Sequence, residues 1–203
     1  SVHSMVVRGS GPSISADGRF VAFIAGVLDD NFDEGTQAVV HDLQTRITTL
    51  VSVDSSGAPG NNFYIGDVSV SADGRFVAFW SDADNLPEND TNSTWADVFV
   101  HDRQTRETTM VSVASNGAQG NYTSTHSSIS ANGRYVVFRS FSDNLVEGDG
   151  NGTNDVFVHD RQTRTTTMVS LATNGVQGND QSFPRSISAD GRFVAFYSEA
   201  DNL

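Results

Sequence analysis

The chain has 203 residues with no cysteine and no lysine, and 25 acidic residues against 12 arginines give it a formal net charge of −13. That acid surplus repels phosphate backbones and anionic membrane surfaces, which argues against a nucleic-acid partner, yet it suits divalent cations. No disulfide or thiolate metal site can form, and no run of about 18 apolar residues exists to support membrane insertion.

In chain order, Val2–Arg8 reads as an outer strand without the partners that should precede it. The segment Ser15-Ala16-Asp17-Gly18-Arg19-Phe20 then introduces a motif that returns at Ser71–Phe76, Ser130–Tyr135 and Ser188–Phe193. The successive intervals from Asp17 to Asp73, from Asp73 to Asn132 and from Asn132 to Asp190 are 56, 59 and 58 residues. Two other markers keep the same beat: Val40-His41-Asp42 with Val100-His101-Asp102 and Val158-His159-Asp160, and Thr48–Ser52 with Thr108–Ser112 and Thr166–Ser170. A period of this length denotes stacked supersecondary units.

Each unit reads as four short strands, A to D. An alternating run such as Ser127–Ser130 is strand A, and the Asp-Gly or Asn-Gly pair makes a tight turn because both residues tolerate positive φ. Strand B (Arg75–Trp80) and strand C (Asp97–His101) are rich in aromatic and β-branched residues, and a second tight turn leads into strand D (Glu107–Val113). One such sheet cannot bury both faces by itself. Radial stacking resolves this, so the expected fold is all-β: a β-propeller of four-stranded antiparallel blades, three full blades plus partial blades at both termini. The units are placed at about 9–53, 66–113, 126–171 and 184–203 as one domain, with 1–8 as a stray outer strand. The partial blades fit a four-bladed ring with a three-stranded closing blade, a piece of a larger propeller, or chains that complete one another's rings by self-association.

Strand alternation gathers all the long loops on one face. These are the B–C loops (Ser81–Ala96, Ser140–Asn154) and the D–A loops (Asp54–Gly66, Ala114–His126, Ala172–Phe183), while the first unit's B–C loop, Ala25–Thr36, is short and differs from the others. Binding usually resides on long loops carried by a rigid scaffold. In the third unit Asp149, Asn151, Thr153 and Asp155 place oxygen at alternate positions, and the second unit offers Asp90, Asn92, Thr94 and Asp97. Such loops can ligate Ca2+, and they can equally form Asx-turns. Asp29, Asp30, Asp33 and Glu34 read as a separate solvated acidic cluster. Asn61, Tyr64, Trp95, Asn121, Tyr122 and Asn179 are the candidate ligand-face residues, the aromatics as stacking groups. His41, His101 and His159 sit once per blade at the end of strand C, where a local hydrogen bond explains them better than catalysis. No nucleophile elbow, phosphate loop or HExxH motif is present, so no catalytic residue is expected.

The pair of motifs Ser-x-Asp-Gly-Arg-Phe-Val-Ala-Phe and Asp-Val-Phe-Val-His-Asp-Arg-Gln-Thr resembles the TolB-like, WD40-like (PD40-type) propeller repeat of bacterial proteins. The resemblance covers nearly the whole chain. Two departures stand out: alanine replaces the usual proline at Ala16, Ala72, Ala131 and Ala189, and arginine replaces a turn glycine at Arg46, Arg106 and Arg164. The resemblance implies an exported, extracytoplasmic bacterial domain that binds partners. Taken with the loop pattern, the expectation is a non-enzymatic domain that binds a protein or peptide on the long-loop face, with calcium ordering the B–C loops. The alternatives are a propeller lectin binding carbohydrate and the non-catalytic propeller of a larger hydrolase.

Overall fold

The computed structural model describes residues 11–28, 34–61, 64–86, 90–92 and 95–203. The Val2–Arg8 strand, Thr94 and the Asp29, Asp30, Asp33 cluster lie outside the described residues.

Three four-stranded antiparallel meanders follow one another. Blade 1 holds β1 (Ser13–Ile14), β2 (Phe20–Leu28), β3 (Glu34–Asp42) and β4 (Ile47–Leu50). Blade 2 holds β5 (Ile65–Val70), β6 (Phe76–Ser81), β7 (Asp97–Asp102) and β8 (Glu107–Met110), and blade 3 holds β9 (Ser124–Ile129), β10 (Tyr135–Ser140), β11 (Asp155–Asp160) and β12 (Thr165–Met168). A fourth sheet pairs β13 (Ser182–Ile187) with β14 (Val194–Ser198). The first strands β1, β5, β9 and β13 pack against one another in turn, which puts strand A of every blade on the inside of the arc.

Two boundaries differ from the sequence reading. In blade 1, residues 25–28 and 34–36 are not loop: Ala25 pairs with Gln37 and Leu28 with Glu34, so β2 and β3 form a long hairpin. Strand D ends at Leu50, Met110 and Met168, because the next residues turn away to close the D–A loop through the bridges Val53 with Pro59, Val113 with Gln119 and Leu171 with Gln177.

The repeated turn is a self-contained network. Asp73 accepts from the Ser71 hydroxyl at 2.6 Å and from the Arg75 amide at 3.0 Å, while the Ser71 hydroxyl accepts from the Phe76 amide. Arg75 then grips Asp102 with two bonds of 2.9 and 2.6 Å, and Arg19–Asp42 and Arg134–Asp160 repeat this pairing. Asp102 in turn accepts the Gln104 and Thr105 amides, which closes the C–D turn. That turn keeps left-handed backbone even with a side chain present: φ is 60° at Arg46, 65° at Arg106 and 58° at Arg164.

Neighbouring blades interlock through the same motif. Each strand-B aromatic lies on the next turn glycine; a Cβ on Gly74 would sit 2.0 Å from Phe20, and Gly133 faces Phe76 in the same way. Phe20 is held between the guanidinium groups of Arg19 and Arg103, at 4.7 and 4.5 Å from its ring centroid. Arg103 also donates to the Gly74 carbonyl at 2.6 Å. Between the sheets lie two apolar clusters. One joins Val40, Val68, Val77, Phe79 and Phe99, the other Val98, Val100, Val136, Phe138 and Phe157. Burying such side chains contributes roughly 1.5–3 kcal/mol each before entropic costs.

Candidate functional site

The long-loop face is built by clips between its two kinds of loop. The Asn61 side chain donates to Asp84 at 2.5 Å and accepts from the Asp84 amide, while Asn85 accepts the Asn61 amide. Asn121 repeats two of these bonds, its side chain donating to Asp143 and its amide to Asn144, and Asn179 repeats all three with Asp201 and Asn202. These three asparagines thus join the D–A loop to the repeated Asp-Asn-Leu segment of the B–C loop. Its leucine is buried at Leu86 and Leu145.

Beside the clips, three aromatics meet at the junction of blades 2 and 3. Trp95 and Tyr122 have ring centroids 5.4 Å apart, and Tyr122 and Phe141 5.7 Å apart, both in edge-on geometry. All three stay partly open to solvent, at 42%, 39% and 42% exposure. Tyr64 stands apart and more exposed, at 70%. Phe141 was not singled out from sequence; in blade 2 the corresponding position after strand B is the polar Asp82.

The acidic B–C loops use their oxygens internally. In blade 2 the Gln119 amide donates to Asp90 and to Asp97, each at 2.8 Å, and the Ser112 hydroxyl donates to the other Asp97 oxygen at 2.6 Å. Asn92 donates to the Gly120 carbonyl. In blade 3 Gln177 donates to Asp149, Asn151 donates to Asp155, and Ser170 donates to Asp155. Thr153 donates its amide to Asn151, an Asx-turn contact. Burial pushes Asp97 and Asp149 up to about 6 and also raises Asp155. Blade 1 has neither partner: Gln37 stands where Asp97 stands and accepts from the Ser52 hydroxyl, and Pro59 stands where Gln119 stands, so the carboxylate and its amide donor are both replaced. Among the described residues no group of three His, Asp or Glu side chains converges on one point.

The repeated histidines are bonded locally. His41, His101 and His159 each place Nδ1 2.9 Å from a threonine hydroxyl on the neighbouring strand. Thr108 gives its only hydroxyl proton to the Val53 carbonyl of the preceding blade at 2.5 Å, and Thr166 likewise bonds Val113. The threonine oxygen therefore accepts from the imidazole, and Nδ1 carries the proton. Burial pushes His101 down and His159 down to about 4, so both are neutral at pH 7.

Comparison with solved structures bears on this architecture directly. The TolB of Acinetobacter baumannii superposes with a TM-score of 0.57 at 14% identity, over 99% of this chain and 39% of that one. The chain has the fold of a TolB-like β-propeller. The tricorn protease matches at 0.55 and 18% identity over 91% of this chain and 15% of that one, and a TolB from Agrobacterium tumefaciens at 0.52 and 16% over 94% and 60%. The chain thus spans about two fifths of the length of the Acinetobacter TolB. No family model and no curated protein matches the sequence.

Proposed function

We propose that this TolB-like propeller is a non-enzymatic binding domain that holds a protein or peptide segment on its long-loop face, in an exported bacterial protein. The observation that carries the reading is the Trp95, Tyr122 and Phe141 cluster. Exposed aromatics that already pack on one another offer apolar area at little further entropic cost, the pattern of interface anchors. The asparagine clips hold the loops beneath the cluster in place. Selection of displayed random peptides on the full chain tests this. Peptides with apolar anchors should be enriched and should lose at least tenfold in affinity against Trp95→Ser and Tyr122→Ser. No enrichment, or unchanged binding to those variants, refutes it.

Calcium ordering of the B–C loops belongs to the same reading. Asp90 and Asp97 already share one amide donor, and a cation taking over from Gln119 would join them more strongly. A melting temperature that is the same in millimolar calcium and in chelator rejects a tight site.

The lectin alternative is favoured by one feature, an open groove of about 1030 Å3 along β8 whose polar lining includes Asn116, Glu107 and Arg164. Binding on a glycan array that survives Trp95→Ser would move the function to that groove. The likeness to the tricorn protease supports the third reading, a non-catalytic propeller within a larger hydrolase, which the complete gene would test.

A further inference from the structure

The inner strands carry an irregularity at one repeat position. Gly11, Asp67, His126 and Pro184 are separated by 56, 59 and 58 residues, the same spacings as the turns. Strand pairing slips after Gly66 in β5, opposite Phe138 in β9 and after Pro184 in β13, so these three inner strands each have a β-bulge here. Gly11 has φ +72°, and Asp67 and His126 hold φ of 39° and 54° although both carry side chains. A non-glycine residue in this region is strained, and such strain concentrates at functional sites. The framework around the position is repeated closely, but the position itself changes from blade to blade.

These bulges line a cavity of about 230 Å3 on the inner side of the arc, with Asp67, His126, Ser127 and Arg185 in its wall. Asp67, Arg139 and Arg185 all lie near enough to bear on the charge of His126. Two arginines against one aspartate make this a locally positive place in a chain of net charge −13. Ser127 is 7% exposed and its hydroxyl has no hydrogen-bond partner; the buried Nε of Arg139, whose charge bears on His126, has none either. Both can donate, and a buried donor without an acceptor is costly enough that native structures rarely retain one. Asp67 accepts from Trp80 at 3.4 Å and is the one acidic residue in the wall among the described residues.

We propose that the axial cavity binds a small carboxylate, with the Ser127 hydroxyl, the His126 imidazole and the Arg185 guanidinium as its donors. The unsatisfied groups are donors, so the missing partner is an acceptor. Asp67 weighs against a second negative charge, which selects a monoanion over a phosphate dianion. The volume is below the roughly 300 Å3 at which sites for larger ligands begin. The carboxylate comes either from a free small acid or from the C-terminus of a polypeptide entering along the axis.

Titration of the full 15N-labelled chain with acetate, inorganic phosphate, and a short peptide with free or amidated C-terminus tests the site. Acetate should shift the His126 and Ser127 amides saturably, and phosphate should bind at least tenfold more weakly. A free-ended peptide that binds more tightly than acetate, with the amidated form silent, identifies a chain terminus as the source; equal affinity of acetate and peptide identifies a free acid. Ser127→Ala and Arg185→Gln should each weaken binding at least fivefold. His126→Gly should weaken it too, while leaving the melting temperature unchanged or higher because glycine relieves the left-handed backbone. No saturable shift with acetate or peptide overturns the proposal, as does phosphate binding as tightly as acetate. Affinities unchanged in all three variants also overturn it.

Discussion

The backbone amide of Ala72 donates to the carbonyl of Ala131 at 2.9 Å, across the boundary between two blades. Ala16 makes the same bond to Ala72, and Ala131 to Ala189 at 3.2 Å. The four turns are thereby joined in a chain of single hydrogen bonds around the arc. This gives a physical reason for alanine where the repeat usually has proline: proline has no N–H to give. Ala72→Pro should therefore destabilise the domain by about 1 kcal/mol or more, the loss of a hydrogen bond with its acceptor left in place. At Ala189, whose amide donates to no backbone carbonyl among the described residues, the same change should be neutral or should stabilise by up to about 1 kcal/mol through the unfolded chain. Urea midpoints of the two variants decide the matter, and equal effects would refute the link.

Acid has two opposite effects on this fold. Asp97 and Asp149 are pushed up to about 6 by burial, against 3.8 in an open chain. Between about pH 6 and 4 the folded state binds protons that the unfolded state does not, so stability rises as pH falls through that window. For the fully buried Asp97 the gain is on the order of 2 kcal/mol. Below about pH 4 the sign reverses. Asp102 is held down to about 2 by Arg75, and Asp42 and Asp160 are likewise lowered by Arg19 and Arg134. Their stabilisation is present above the unfolded carboxyl range and is lost as pH falls toward their folded values. Thermal melts across pH 2–8 should show a maximum near pH 4–5, and Asp97→Asn should flatten the limb above it. A midpoint that declines steadily from pH 7 downward would contradict this account.

What the sequence makes legible here is what repeats. Ser-x-Asp-Gly-Arg-Phe specifies turn, strand and blade boundary in one stretch, and its aspartate proves to be a turn acceptor. The clips are half legible: Gly-Asn and Asp-Asn-Leu both recur, but their bonds join residues more than twenty positions apart, so only the fold shows Asn61 meeting Asp84. The acidic loops are the opposite case. Their oxygens are visible in the sequence, yet the donor between Asp90 and Asp97 is Gln119, which arrives from another loop. Asp67 and His126 were hidden because a repeat draws attention to the positions that stay the same.

The arginine in the C–D turn offers a direct measure of backbone strain. Arg106 sits at φ 65° with its amide donating to the Asp102 carbonyl at 2.7 Å, and its side chain is exposed. Glycine at this point removes the Cβ conflict and keeps the amide, at the expense of a more flexible unfolded chain. Relief of about 1–2 kcal/mol against a loss of about 0.5–1 kcal/mol leaves Arg106→Gly stabilising by up to about 1.5 kcal/mol. Arg106→Ala, which keeps the Cβ, should gain nothing. If the alanine variant gains as much as the glycine variant, charge and not strain governs the site.

The last copy of the motif has the same chemistry in a different setting. Phe20, Phe76 and Tyr135 each lie against the glycine of a following turn, whereas Phe193 is 66% exposed and Tyr197 52%. Among the described residues no strand pairs with the far edge of β14. An open strand edge flanked by two exposed aromatic rings favours association with another chain. The 203-residue polypeptide should therefore sediment as a dimer or larger species whose proportion falls on dilution. Phe193→Ser should shift it toward monomer without lowering the melting temperature, because that ring is not buried in the monomer. A monomeric mass at every concentration would show that the β14 edge does not drive association.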